Sequence, residues 1–87
     1  MQQNYPENVI VTVRLKRPNL EEDIRLPADS LFENWLPELT GVLNEYRRTH
    51  LNPRTLIVSY KGRELQSNDT LASLGAWDGS VLWLEER

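Results

Sequence analysis

Two stretches at opposite ends of the chain constrain the fold most. From Val9 to Lys16 the residues alternate, with Val9, Val11, Val13 and Leu15 on one face and Ile10, Thr12, Arg14 and Lys16 on the other. Alternation returns near the end, where Leu82 and Leu84 share one face and Val81, Trp83 and Glu85 the other. A period of two marks a half-buried strand, and β-branched residues suit it. A chain of 87 residues has room for one domain and one small core. Both strands must send their apolar faces into that core.

The middle of the chain supplies what covers them. Leu20, Glu22, Ile24 and Leu26 alternate after a turn carrying Pro18 and Asn19, which reads as a hairpin with the first strand. Glu21, Glu22 and Asp23 face Arg14, Lys16 and Arg17 across it, and solvated charges are the ordinary reading of such a run. A helical pattern runs from Pro27 to His50 and is interrupted by Pro37. Proline is tolerated at the first helical position but costs ~3 kcal/mol inside a helix. The main helix is therefore predicted over residues 37–49, with Leu39, Val42, Leu43 and Tyr46 as its buried stripe. Arg47, Arg48 and His50 then fall in its last turn, and Asp29 or Ser30 caps a short extra turn through Trp35.

A third strand is predicted over residues 55–60, with Leu56, Val58 and Tyr60 inward and Ile57 and Ser59 outward. Lys61-Gly62 turns the chain, Asp69 caps a short turn bearing Leu71 and Leu74, and Asp78-Gly79 leads into the last strand. Residues 1–8 read as a loose polar tail and residues 9–87 as one domain. The order of elements is an α+β fold: a mixed four- to five-stranded sheet with one main helix packed across it, the β-grasp arrangement.

Composition removes several classes of function. The absence of cysteine excludes a disulfide framework and a thiolate metal site, and fits a reducing compartment. No apolar run approaches the roughly 20 residues that span a bilayer, and MQQNYPEN lacks the features of a secretory leader. A net charge of −3 spread over both signs argues against a nucleic-acid partner. These features together predict a cytoplasmic protein without direct membrane insertion.

The spacing of Leu56-Ile57-Val58, Tyr60, Gly62, Leu65, Thr70-Leu71, Gly75, Asp78-Gly79 and Leu82-x-Leu84 resembles ubiquitin-like domains over residues 9–85. Lys61-Gly62, Asn68-Asp69, Asp78-Gly79 and Leu36-Pro37 are similar to features of the short bacterial YukD/EsaB family, associated with type VII secretion systems. The stretch from Asp29 to Trp35 departs from that family as an insertion before the helix. The resemblance implies the β-grasp fold and a small cytoplasmic accessory or regulatory component of a type VII secretion system. The implied partner is a protein, the cytosolic part of a membrane component of that machinery. The alternative is a generic ubiquitin-like interaction domain of a larger protein or another pathway.

Comparison with ubiquitin implies a non-conjugating module. None of the four glycines lies near the end, where activating enzymes require a di-glycine. Two positions of ubiquitin's apolar patch correspond to Ser59 and Glu85, its chain-building lysine to Arg63, and only Lys16 and Lys61 remain as lysines.

Catalytic chemistry finds little footing. His50 is the only histidine, and no carboxylate is fixed beside it by the sequence. Ser59, Ser67, Ser73 and Ser80 lack a nucleophile-elbow context, and no acidic cluster has calcium-loop spacing. No enzyme activity, cofactor or metal is expected. Three tryptophans remain as signals. Trp35 is predicted to cover one end of the core, and Trp77, beside Ala76, to fill part of it. Trp83 is aimed outward by alternation, with Ile57 and either Ile10 or Thr12 as its expected neighbours. The predicted protein-interaction surface is accordingly Ile10, Thr12, Ile57, Ser59, Val81 and Trp83.

Overall fold

The computed structural model describes residues 6–17 and 19–87. Pro18, part of the predicted hairpin turn, and residues 1–5 of the predicted tail lie outside the described residues.

Strands β1 (Asn8–Leu15) and β2 (Leu20–Pro27) form the expected antiparallel hairpin. Helix α1 (Phe32–Tyr46) follows, then β3 (Leu56–Tyr60), the two-residue β4 (Arg63–Glu64), the short helix α2 (Leu71–Leu74) and β5 (Val81–Glu86). The sheet order is β2-β1-β5-β3-β4, with β1 and β5 parallel at its centre and the other neighbours antiparallel. This is a five-stranded β-grasp fold. Val9, Val11 and Val13 of β1, Leu82 and Leu84 of β5, and Leu56 and Val58 of β3 are buried on the face that α1 covers.

The Lys61-Gly62 hairpin needs two successive residues in the left-handed region, and both have positive φ, 53° and 81°. Gly62 adopts it without steric penalty, and Lys61 lays its ammonium 5.4 Å from the Tyr60 ring centroid. At the other turn Gly79, with φ 90°, passes the chain into β5. The Ile10 N–H donates to the Asp78 carboxylate at 2.8 Å, and the Gly79 N–H donates to the Ile10 carbonyl at 2.9 Å. Asp78 and Gly79 thus extend the parallel pairing ahead of its first pair, Thr12 with Val81.

The helix corrects the sequence reading. α1 begins at Phe32, not at Pro37, and Pro37 lies inside it. Neither Asp29 nor Ser30 caps it; Leu31 holds the N-cap position with no side-chain bond. Two loop carbonyls take over that role, because the Phe32 N–H donates to the Asp69 carbonyl at 2.7 Å and the Glu33 N–H to the Ser67 carbonyl at 3.1 Å. A tertiary cap of this kind leaves no local signature. The buried stripe also differs from the predicted one. It comprises Phe32, Trp35, Leu36, Leu39, Thr40 and Leu43, whereas Val42 and Tyr46, predicted as core, are 38% and 74% exposed.

The helix end is likewise earlier than predicted. Arg47 is the C-cap and its N–H donates to Leu43 O at 2.9 Å, which puts Arg48 and His50 in the following loop. That loop is held by Asn44, whose side chain accepts from the Thr49 hydroxyl and the Leu51 N–H and donates to the Leu51 carbonyl. Asp69 is not the cap of α2. Thr70 is, through a capping box with Ser73, while the Asp69 carboxylate accepts from the Gln66 N–H at 2.7 Å and faces Arg63 at 3.1 Å.

The two remaining tryptophan readings diverge. Trp35 is buried as predicted and meets Phe32 edge-on at 5.0 Å. Trp77 does not fill the core: it is 52% exposed, and Ala76 occupies the buried position. Gly75, left-handed at the end of α2, turns the chain so that the Ala76 N–H donates back to Leu71 O, leaving the next side chain outside.

A proline this deep in a helix removes the bond its N–H would make to Glu33 and crowds that carbonyl. Replacing it adds an interior backbone bond but loosens the unfolded chain by about 0.4–1 kcal/mol. Pro37→Ala is expected to stabilise the protein by ~2 kcal/mol, read from the denaturant midpoint at unchanged slope. An unchanged midpoint would show that packing of the ring offsets the backbone penalty.

Candidate functional site

The outer face of the sheet, opposite α1, collects every residue of the predicted interaction surface. Ile10 and Thr12 stand on β1, Val81 and Trp83 on β5, and Ile57 and Ser59 on β3, none of them buried. Alternation explains this, since Leu82 and Leu84 cannot enter the core unless Val81 and Trp83 leave it.

The register places them differently from expectation. Trp83 pairs with Arg14 on β1 and with Ser59 on β3. Ile57 is instead opposite Glu85, Thr12 opposite Val81, and Ile10 opposite Arg25 of β2. The aliphatic residues therefore lie at the corners of the face, and the indole is bordered by a cation and a hydroxyl. Its ring lies 5.7 Å from the Arg14 guanidinium carbon and 6.0 Å from the Lys16 ammonium, within cation–π range. Arg14 also pairs with Glu21 at 3.6 Å, and the Thr12 hydroxyl donates to Asp23 at 2.7 Å. Trp83 nevertheless stays 41% exposed.

Arg14 and Lys16 are the members that sequence reasoning missed. Their parity with Ile10 and Thr12 put them on this face, but only the parallel register brings them over Trp83. Beside the indole a groove of about 500 Å³ opens at the end of the sheet, walled by Lys16 and Arg17 on one side and Glu85 and Glu86 on the other. The site is thus aromatic at its centre, cationic on the β1 side and acidic on the β5 side.

Of the serines screened for chemistry, Ser73 and Ser80 hold backbone groups with their side chains, Ser67 serves α1 by its main chain, and Ser59 stands beside Trp83 on the outer face. Ser73 closes the α2 capping box, the Ser80 hydroxyl accepts from the Trp77 N–H at 2.9 Å, and the Ser67 carbonyl caps α1. His50 is exposed on the loop after α1. Among the described residues no group of three or more His, Cys, Asp or Glu is placed to hold a metal ion. No helix among them is long and apolar enough to cross a membrane.

The sequence profile of the WXG100 protein secretion system (Wss) protein YukD matches residues 9–84. The chain belongs to the YukD family. No curated protein matches this YukD-family chain. Among solved structures, Caldiarchaeum subterraneum ubiquitin is similar at TM-score 0.74 and 21% identity, over 92% of this chain and 94% of that one. A ubiquitin-like domain of an Arabidopsis thaliana protein is similar at TM-score 0.75 and 15% identity, over 97% of this chain and 82% of that one. A protein designed de novo on ubiquitin gives TM-score 0.71 and 26% identity, over 95% of this chain and 93% of that one. Likeness at these identities shows the fold, which is ubiquitin-like. The segment predicted as an insertion in this YukD-family chain, residues 29–35, holds the start of α1.

The cation–π contacts yield a stability prediction. In a double-mutant cycle, Arg14→Ala and Trp83→Ala are expected to couple by about 0.5–1 kcal/mol, read from denaturant unfolding. Trp83→Ala alone should preserve the folded spectrum, because no buried core residue is removed.

Proposed function

We propose that this YukD-family protein is a non-catalytic docking module: a cytoplasmic accessory of the WXG100-type secretion system, binding the cytosolic part of a membrane component. Family membership supports the secretion setting. The observation that carries the docking role is the indole of Trp83, 41% exposed at the centre of a rigid sheet. An aromatic held on a central strand loses little conformational freedom on binding and buries a large area. The cations beside it select the partner's chemistry. A partner surface that sets a carboxylate near an apolar side chain meets Lys16 or Arg17 and the ring together.

Trp83→Ala is expected to weaken binding to that cytosolic segment at least tenfold while the melting temperature moves little, measured by calorimetry on the same preparations. Lys16→Glu should chiefly slow association and reduce its salt dependence. Unchanged affinity in Trp83→Ala would exclude this face as the docking surface. Capture of an unrelated pathway's component from native lysate, with none from the secretion machinery, would exclude the setting.

A further inference from the structure

The sheet has two edges of unequal exposure. β4 ends one side after two residues, but β2 ends the other with eight, Leu20–Pro27. A strand at a sheet edge turns alternate N–H and C=O groups away from its single neighbour, and a second chain can pair with them. Directly beside this edge, between β2 and α1, runs a groove of about 300 Å³. Ile24 and Leu43 line it, and so do Val42 and Tyr46, helix residues that α1 leaves outside the core.

Charge is arranged around the same edge with a period of two. Glu21 and Asp23 stand exposed on the outer face, with Arg25 beyond them, while half-buried Glu22 on the helix side is matched by Arg47 at 2.6 Å. Glu38 and Glu45 flank Val42 on α1, four residues before it and three after. Among the described residues no salt bridge reaches Asp23, Glu38 or Glu45. A second copy of this edge would bring three carboxylates and one guanidinium, Arg25, against the same set.

We infer that the β2 edge and its groove form a second binding site, which takes an extended segment of a partner protein by strand addition. The segment is apolar at alternate positions and carries Lys or Arg between them. Its apolar side chains enter the groove beside Val42 and Tyr46, and its basic ones stand opposite Glu21 and Asp23 across the new strand pair. Backbone bonds to β2 supply affinity and the two alternating sets supply selectivity. This site lies across β1 from Trp83 and shares with it the Glu21–Arg14 pair.

A display library of random nine-residue peptides panned on the whole protein tests the inference. Enriched sequences should alternate apolar with Lys or Arg, and a synthetic representative should shift the amide resonances of residues 20–27 and of Val42 and Tyr46 more than that of Trp83. Tyr46→Ala should weaken that peptide at least tenfold with the amide spectrum otherwise intact. Glu21→Lys combined with Asp23→Lys should exchange the preference to an acid-interleaved peptide. Absence of enrichment, enrichment without the pattern, shifts confined to the outer face, or self-association through β2 that the peptide does not compete would each overturn it.

Discussion

Everything else in this domain depends on the parallel pairing of β1 with β5. Thr12, Val13, Arg14 and Leu15 lie opposite Val81, Leu82, Trp83 and Leu84, so nearly the whole chain separates the partners. Because side chains alternate, a slip of one residue would drive Trp83 inward and expel Leu82 and Leu84. The Asp78 carboxylate and Gly79 resist that slip by clasping both the N–H and the carbonyl of Ile10. The two flanking hairpins, the position of α1 and the make-up of the outer face all follow from this register. A pairing so distant in sequence must close a long loop before it gains stability, so the neighbouring hairpins are left to supply local order.

Much of this was legible in the chain. Val9, Val11, Val13, Leu82 and Leu84 show their burial by alternation alone, and Lys61-Gly62 and Asp78-Gly79 show their turns by chemistry. What was illegible depends on partners far away. The start of α1 is set by carbonyls of Ser67 and Asp69, more than thirty residues onward, and they override the local signal of Pro37. The added first turn carries Phe32, Trp35 and Leu36 into the core, and the stripe they share with Leu39 and Leu43 leaves Val42 and Tyr46 outside it. Parity placed Trp83 on the correct face, but its neighbours are a matter of register, and no periodicity reports which of Ile57 or Ser59 stands beside it.

The acidic run Glu21-Glu22-Asp23 shows how one local pattern serves several contacts. Alternation divides it: Glu21 reaches Arg14 and Asp23 receives the Thr12 hydroxyl on the outer face, while Glu22 meets Arg47 just beyond α1 on the other. Exposed pairs of this kind add little stability, about 0–1 kcal/mol each. Their larger effect is positional. Glu21 holds the guanidinium that borders Trp83, and Glu22 holds the end of α1 close to the strand it flanks.

A β-grasp domain with one long helix can cover only one face of its sheet. Short α2 packs Leu71 into the core near the start of α1 and adds nothing to the opposite side. Among the described residues no helix or strand packs over the outer face, so its residues are less bound by the demands of packing. Trp83 uses that freedom for a rigid aromatic surface tuned by neighbouring cations. The β2 edge offers the opposite kind of recognition, in which backbone groups set the geometry and side chains only choose among extended segments. Both surfaces meet on the β1–β2 hairpin, where Glu21 faces Arg14, so a change at that pair perturbs the indole's cation and the edge's charge together.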